Sequence, residues 1–326
     1  MNSTTQRNAV LSRGMPERRY LPELHGIRGL ALAGVVLFHL FGAGRISGGI
    51  DIFLAVSGFL FTGMLLREAT AKGGRINLWN YFGRLFRRIF VPAALVALIT
   101  LGVGLLVMPA TGHRQLWAEA RASLLYFENF ELINSQLAYG AAGPETSPFQ
   151  HFWSLAVQGQ FYLIWPLITV IAVLVARAIR SSAPLVLAII STLIFLASFT
   201  YAIYVGNYNQ AEAYLMTETR AWQLAFGALL ALFISTLRLP RMLRPVGSWV
   251  GVALIVSCGF VLDGAQLFPG PWALWPLLGL VLVLISAGPD GATMILHTQQ
   301  LDYCRPVPLA GSPTTPMPST SGTGHY

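Results

Sequence analysis

The chain has 326 residues, of which 55% are hydrophobic and only 10% are charged, and its net charge is +8. Soluble globular proteins carry roughly 25% charged residues, and the mean hydropathy of +0.61 is also high. This composition excludes a disordered protein, a fibrous repeat and an ordinary soluble enzyme. It predicts an all-α, polytopic membrane helix bundle.

About eight segments are predicted to span the membrane, since each spanning helix needs about 20 largely apolar residues. In chain order they are residues 27–43, 49–66, 89–108, 153–176, 184–205, 220–236, 246–263 and 271–288. A polar segment, residues 1–19, precedes the membrane domain of residues 20–288. Residues 289–326 form a polar tail rich in Pro, Gly, Ser and Thr, which predicts disorder.

The distribution of basic residues predicts the orientation of these helices. If eight spans alternate, fifteen Lys and Arg residues fall on the side of the N-terminus and four on the other. The positive-inside rule therefore places the N-terminus in the cytoplasm and the protein in the cytoplasmic (inner) membrane. Residues 109–150, the longest segment on the opposite side, would then meet an external substrate.

The first span carries two ionisable residues on one face. Arg28 and His39 are eleven residues apart, which places them within about 20° of each other and roughly 16 Å apart along a helix. Ionisable residues within spanning helices indicate function by default, and histidine exchanges protons near neutral pH. The alternative is an arginine that reaches the membrane surface and a structural histidine.

Asp51 begins the second span, which must neighbour the first. It could orient a cationic partner such as His39, or it could be an interfacial acid that faces water. Within the same span, Ser57 and Gly58 predict close packing or a kink.

Three arginines, Arg84, Arg87 and Arg88, come just before the third span. The planar fork of arginine suits phosphate groups, so one interpretation is a phosphate-bearing cofactor on the cytoplasmic side. The other is a cluster that sets topology and binds lipid headgroups.

Four further residues are candidates for substrate binding or structural roles. They stand at the starts of the fourth and sixth spans, where polar and aromatic side chains are unusually frequent: Trp153, Gln158, Gln160 and Arg220. The two cysteines, Cys258 and Cys304, predict neither a disulfide framework nor a metal site.

These segments together resemble the acyltransferase-3 family of integral membrane O-acyltransferases. Five motifs occur in the family's order: ELHGIRGLALAGVVLFH, GGIDIFLAVSGFLFTGMLL, RLFRRIFVP, FWSLAVQGQFYLIWPL and TRAWQLAFGALL. The resemblance covers about residues 20–288. It implies a bundle of typically ten helices that transfers an acyl group, usually acetyl from cytoplasmic acyl-CoA, to a hydroxyl of a cell-envelope or exported glycan or glycolipid.

The resemblance also implies roles for single residues. The family's Arg and His, separated by ten residues, fall on Arg28 and His39, where the histidine is expected to be a catalytic base or transient acyl carrier. The Asp of the second motif falls on Asp51. The paired arginines fall on Arg84 and Arg87, where with Arg88 they would hold the CoA phosphates. The expected partners are the lipid bilayer and a glycan or glycolipid acceptor, with no metal and no nucleic acid.

The chain departs from the family pattern in three places. His25 stands where Asp is usual, and Gln158 and Gly159 stand where acidic residues are usual. Glutamine cannot act as a general base. Such QGQF variants resemble actinobacterial members. The tail also lacks the family's last two helices. One permitted codon spelling of residues 317–326, read in a shifted frame, encodes the motif that the family carries there. A frameshift or truncation is therefore a further hypothesis.

Two other functions stay open at this stage. Buried His and Arg also suit a proton-coupled transporter or exporter of a glycan precursor, although the sequence shows no inverted pair of broken helices. A truncated, inactive remnant is the third interpretation.

Overall fold

A computed structural model describes residues 23–41, 48–71, 76–135, 147–237 and 239–287. The chain divides into two compact units, residues 1–293 and 294–326, and all described residues belong to the first. The predicted N-terminal segment 1–19 and tail 289–326 lie outside the described residues. The predictions of disorder and of a frameshift therefore stay predictions.

Within the described residues, every predicted span contains a helix. In chain order the helices are α1 Glu23–Phe41, α2 Gly49–Ala71, α3 Leu78–Val107, α4 His113–Leu124, α5 Glu128–Asn134, α6 Phe152–Ala178, α7 Ala183–Tyr208, α8 Gln210–Leu215, α9 Thr217–Phe233, α10 Arg244–Val261, α11 Gly264–Leu267 and α12 Leu274–Ser286. The short helices α4 and α5 lie in the segment 109–150, which the sequence predicts to be external.

The prediction of an all-α membrane helix bundle is confirmed. Within the described residues, five helices are long and apolar enough to cross a membrane, namely α2, α3, α6, α7 and α10 with the turn before it. The other three predicted spans form α1, α9 and α12, of which α12 belongs to a shorter apolar helix. The count of eight crossings stays a prediction.

Helix α3 begins well before the predicted span 89–108. The Asn77 side chain accepts a hydrogen bond from the Asn80 backbone N–H at 3.0 Å, which caps the helix at its start. The helix then continues through a π-helical turn at Phe86–Phe90. The three arginines predicted to precede the span therefore lie within the helix.

Helices α2 and α9 cross at two glycines. A Cβ atom on Gly58 would clash with the Leu224 carbonyl oxygen, and one on Gly227 would clash with the Ala55 carbonyl oxygen. Small residues allow such close backbone approach in membrane bundles. Helices in lipid associate through van der Waals packing, because the hydrophobic effect does not drive them together there. The close packing predicted at Gly58 is confirmed.

A proline inside α6 leaves a backbone carbonyl free to accept a hydrogen bond from α3. Pro166 has no N–H group, so the carbonyl of Tyr162 one turn earlier lacks its usual helical donor. The Tyr81 hydroxyl, at the start of α3, donates to that carbonyl at 2.9 Å. Backbone polar groups in a membrane must be satisfied within the protein, and here a neighbouring side chain does so.

Replacement of Gly227 by leucine tests the α2–α9 contact. The added side chain has no space beside Ala55, so we expect Gly227→Leu to lower the free energy of unfolding by about 1–3 kcal/mol or more. Thermal unfolding in detergent measures the loss. Gly102→Leu is the matched control, because a Cβ atom on Gly102 meets nothing within 4 Å. Equal stability of the two variants would contradict the close contact.

Candidate active site

A large cavity lies between α2, α3 and α6. Its volume is about 1060 Å³, at the upper end of the range for pockets that bind small molecules and cofactors. Arginines from three helices line it: Arg28, Arg67, Arg84, Arg87 and Arg88. The structure thus brings Arg28 together with the arginine cluster of α3, which the sequence predicted as separate features.

The arginines of α3 reach the cavity from a single helix face, since positions 84, 87 and 88 are three and four residues apart. Two of them have partners within the chain: the Arg84 guanidinium lies 3.6 Å from the Glu68 carboxylate, and the Arg87 Nε donates to the Gly83 carbonyl at 3.2 Å. Arg88 makes no hydrogen bond or ion pair with a described residue. The π-helical turn that carries Arg87 and Arg88 is of a kind frequent at functional sites.

A smaller cavity of about 180 Å³ adjoins the large one. It is lined by residues of α1, α2 and α6 and of the turn before α6: Val35, Ile50, Phe53, His151, Trp153, Ser154 and Gln158. Phe53 and Gln158 line both cavities. The two cavities therefore lie next to each other at this pair of residues, which we call the junction.

Hydrogen bonds hold the polar member of the junction. The Tyr162 hydroxyl donates to Gln158 Oε1 at 3.3 Å and lies 3.1 Å from Ser57 Oγ. The Tyr162 ring stacks on Phe61, with the ring centroids 4.1 Å apart. Ser57, Tyr162 and Gln158 thus form a short polar chain between α2 and α6.

The side chain of His39 lies outside the described residues. The backbone of α1 continues to residue 41, and position 39 is one helical turn beyond Val35, which lines the smaller cavity. Arg28, at the other end of the same face, lines the large cavity. The catalytic role of His39 stays a prediction.

Asp51 takes part in a buried ion pair. Arg220 Nη1 donates to Asp51 Oδ1 at 2.8 Å, and Gln223 Nε2 donates to the same oxygen at 2.5 Å. Only 2% of the Asp51 surface and 1% of the Arg220 surface is exposed. The pair ties the first turn of α2 to α9. Asp51 is therefore buried, and the interpretation of Asp51 as an interfacial acid that faces water is wrong. Its predicted influence on His39 stays a prediction.

Arg220 is also enclosed by aromatic rings. Its guanidinium lies 4.4 Å from the centroid of the Tyr214 ring and 5.3 Å from that of the Trp153 ring, which are cation–π distances. Trp153 is buried and separates Arg220 from the smaller cavity, whose wall it forms. Arg220 itself lines neither of the two cavities.

Gln160 has a structural role in this fold. Its amide donates to the Tyr126 carbonyl at 2.8 Å and to Asn129 Oδ1 at 3.0 Å, and it accepts from the Thr217 hydroxyl at 2.5 Å. Gln160 therefore links the segment that carries α4 and α5 to α6 and α9.

Sequence reasoning missed two buried carboxyl groups in α4 and α5. Glu119 accepts hydrogen bonds from Ser147 and from Gln115, and Glu128 accepts from Ser123 at 3.1 Å. Burial, together with the neighbouring Glu119 carboxyl, raises the pKa of Glu128 to about 9. Burial also raises the pKa of Glu119. No local signal in the sequence distinguishes these acids from exposed ones, because their burial depends on the packing of α4 and α5.

Comparison with known proteins identifies the family. The profile described as "Acyltransferase domain", that of the acyltransferase-3 family, matches residues 21–295. This chain belongs to the acyltransferase-3 family. No solved structure gives a significant match to it.

Three curated relatives are similar to most of this acyltransferase-3 chain but are much longer than it. A Bacillus subtilis protein named as a candidate peptidoglycan O-acetyltransferase is 30% identical over 77% of this chain and 40% of its own length. The peptidoglycan O-acetyltransferase OatA of Listeria monocytogenes is 28% identical over 83% of this chain and 45% of its own. A candidate O-acetyltransferase of Staphylococcus aureus is 27% identical over 83% and 46%. The chain thus spans less than half the length of these relatives.

The ion pair between Asp51 and Arg220 is expected to dominate local stability. Asp51→Asn leaves the Arg220 charge buried without a counter-ion, which costs about 3–5 kcal/mol, whereas Asp51→Leu combined with Arg220→Met costs less than either single change. Unfolding in detergent measures both. Glu68→Gln is the control, because its partner Arg84 is half exposed and such pairs contribute about 0–1 kcal/mol. Equal losses for Asp51→Asn and Glu68→Gln would contradict this account.

Glu128 is expected to make stability depend on pH. Between the pKa of an unfolded Glu, 4.5, and that of folded Glu128, about 9, the folded protein holds a proton that the unfolded chain has lost. Stability therefore falls as pH rises through this range, by up to about 1.4 kcal/mol per pH unit for this group. Melting temperatures from pH 5 to 9 should fall less steeply for Glu128→Gln than for the wild type.

The control for this pH series is Glu218→Gln, which removes an exposed carboxylate and should leave the slope unchanged. Parallel pH profiles for the wild type and Glu128→Gln would show that Glu128 is ionised in the folded protein.

Proposed function

We propose that this chain transfers an acyl group from a cytoplasmic acyl-CoA to a hydroxyl of a cell-envelope glycan. The observation that carries the proposal is the pair of neighbouring cavities that share Phe53 and Gln158 as lining residues, with five arginines around the larger one. The names of the relatives favour acetyl as the acyl group and peptidoglycan as the acceptor.

The large cavity is the proposed donor site. CoA carries phosphates at one end and a thioester at the other, and guanidinium groups bind phosphates through charge-assisted hydrogen bonds. Arg84, Arg87 and Arg88 would hold the phosphates. Apolar side chains such as Leu60 and Leu155 line the same cavity and suit the less polar pantetheine arm. The thioester would then reach the junction.

The basic residues also support an orientation. The arginines of the large cavity come from sequence segments that the positive-inside rule assigns to the cytoplasm. A donor site on that side fits the compartment in which acyl-CoA is made. We therefore place the N-terminus in the cytoplasm of a cell whose inner membrane holds the protein.

The chemistry at the junction follows from the functional groups. The oxygen of the acceptor hydroxyl attacks the thioester carbon, the carbon–sulfur bond breaks, and the hydroxyl proton passes to a base and then to the departing thiolate. His39 is the proposed base, which contributes about 10²–10⁴-fold to such reactions. Arg28, with a fixed positive charge in the large cavity, would bind the donor or stabilise developing negative charge. Asp51, in the first turn of α2, would orient His39, which belongs to the last turn of α1.

Proteoliposomes that contain the full chain test this function. With radiolabelled acetyl-CoA and a soluble peptidoglycan fragment, we expect label on the fragment and stoichiometric release of CoA thiol. His39→Ala should lower the rate at least about 100-fold. Movement of the fragment without label would indicate a transporter, and neither result in a folded protein would indicate an inactive remnant.

The donor site has its own matched control. Replacement of Arg84, Arg87 and Arg88 by Gln should raise the KM for acetyl-CoA at least about 10-fold, since each lost charged hydrogen bond costs about 1.5–3 kcal/mol. Replacement of Arg177, Arg180 and Arg241 by Gln removes the same charge from the same predicted side and lies outside the lining of the large cavity. Equal KM values for the two triple variants would contradict the proposed donor site.

A further inference from the structure

Gln158 occupies a special position in the proposed site. Of the two residues that line both cavities, Phe53 has no polar side-chain atom, so Gln158 is the one that can make hydrogen bonds at the junction. A donor in the large cavity and an acceptor in the small one would exchange the acyl group here. In this arrangement the reacting carbonyl group passes close to the Gln158 amide.

The amide is held in one orientation. Its oxygen accepts a hydrogen bond from the Tyr162 hydroxyl, and the Ser57 hydroxyl lies in reach of the same tyrosine oxygen. Because the tyrosine proton points to Gln158, Ser57 donates to Tyr162. The Tyr162 backbone is in turn fixed by Tyr81. The oxygen of the amide is thus occupied by the protein.

The amide nitrogen has no such partner. Gln158 Nε2 carries two N–H donors, and none of the described residues accepts a hydrogen bond from it. The side chain is only half-buried, since it lines the two cavities. The geometry therefore leaves a fixed pair of N–H donors available at the junction.

Acyl transfer needs such a donor. When the hydroxyl oxygen adds to the thioester carbon, the carbonyl oxygen takes up negative charge until the carbon–sulfur bond breaks. Donors fixed in advance towards this oxygen stabilise the transition state, and removal of one lowers kcat by about 10²–10³. No proton leaves the amide, so this role requires no change in its ionisation.

We propose that the Gln158 side-chain amide donates a hydrogen bond to the carbonyl oxygen of the acyl group during transfer, which makes Gln158 a catalytic residue. This inference rests on the proposed function. It assigns Gln158 a task that a glutamine can perform although it cannot be a general base, and it makes Ser57 and Tyr162 its positioning residues.

Two substitutions test the role in the proteoliposome assay with acetyl-CoA. Gln158→Met keeps the length of the side chain and removes the donors, so we expect kcat to fall at least about 100-fold while the KM for acetyl-CoA changes less than about threefold. Gln158→Glu donates only when protonated, so its activity should fall as pH rises through the carboxyl pKa, a limb that the wild type lacks. Gln266→Met, which changes an exposed glutamine of α11, is the control and should keep the wild-type kcat.

Each outcome bears on a separate claim. A Gln158→Met enzyme with kcat within threefold of the wild type overturns the role of Gln158, as does a Gln158→Glu enzyme with the wild-type rate and pH profile. If Gln158→Met does not fold, the pH profile of Gln158→Glu decides. Absence of label transfer by the folded wild type would instead overturn the proposed function itself, and with it the role of Gln158.

Discussion

The buried ion pair between Asp51 and Arg220 fixes the helix on which the rest of the site depends. It joins the first turn of α2 to α9 at 2.8 Å, and the glycine crossing at Gly58 and Gly227 holds the same two helices together further along. Helix α2 then supplies Phe53 and Ser57 to the cavities. A buried charge is tolerated only with a counter-charge and hydrogen bonds, and Arg220 has both together with two aromatic rings. The position of α2, and so of the junction, follows from this requirement.

The same physical rule separates the arginines into two groups. Arg220 is almost fully buried and is neutralised by a carboxylate, so its charge serves the fold. The arginines of the large cavity are all exposed, and Arg28 and Arg88 have no hydrogen bond or ion pair with a described residue. Charges that line a solvent-accessible space keep their hydration until a ligand replaces it. This contrast is why we assign phosphate binding to the cavity arginines and a structural role to Arg220.

Much of this arrangement could be predicted from the sequence, because long apolar segments and charges within them are local signals. The helices, the close packing at Gly58 and the family could all be read in this way. The pairing of Asp51 with Arg220 could not, since 169 residues separate the two partners and both stood as isolated polar residues near predicted membrane boundaries. The extension of α3 through the arginine cluster was missed because hydropathy places the boundary of a span where charges begin, whereas the Asn77 cap places the start of the helix. The burial of Glu119 and Glu128 depends on how two short helices pack, which no sequence pattern reveals.

The central claim is that the large cavity opens to the cytoplasmic side and binds CoA. A single cysteine at position 85, on the cavity wall between Arg84 and Arg87, tests it in a chain in which Cys258 and Cys304 are replaced by alanine. The rate of its reaction with a membrane-impermeant maleimide is measured in sealed inside-out and right-side-out vesicles, with and without CoA. The account predicts rapid labelling only in inside-out vesicles and protection by CoA. Labelling from the outer face, or a rate that CoA does not change, would contradict it.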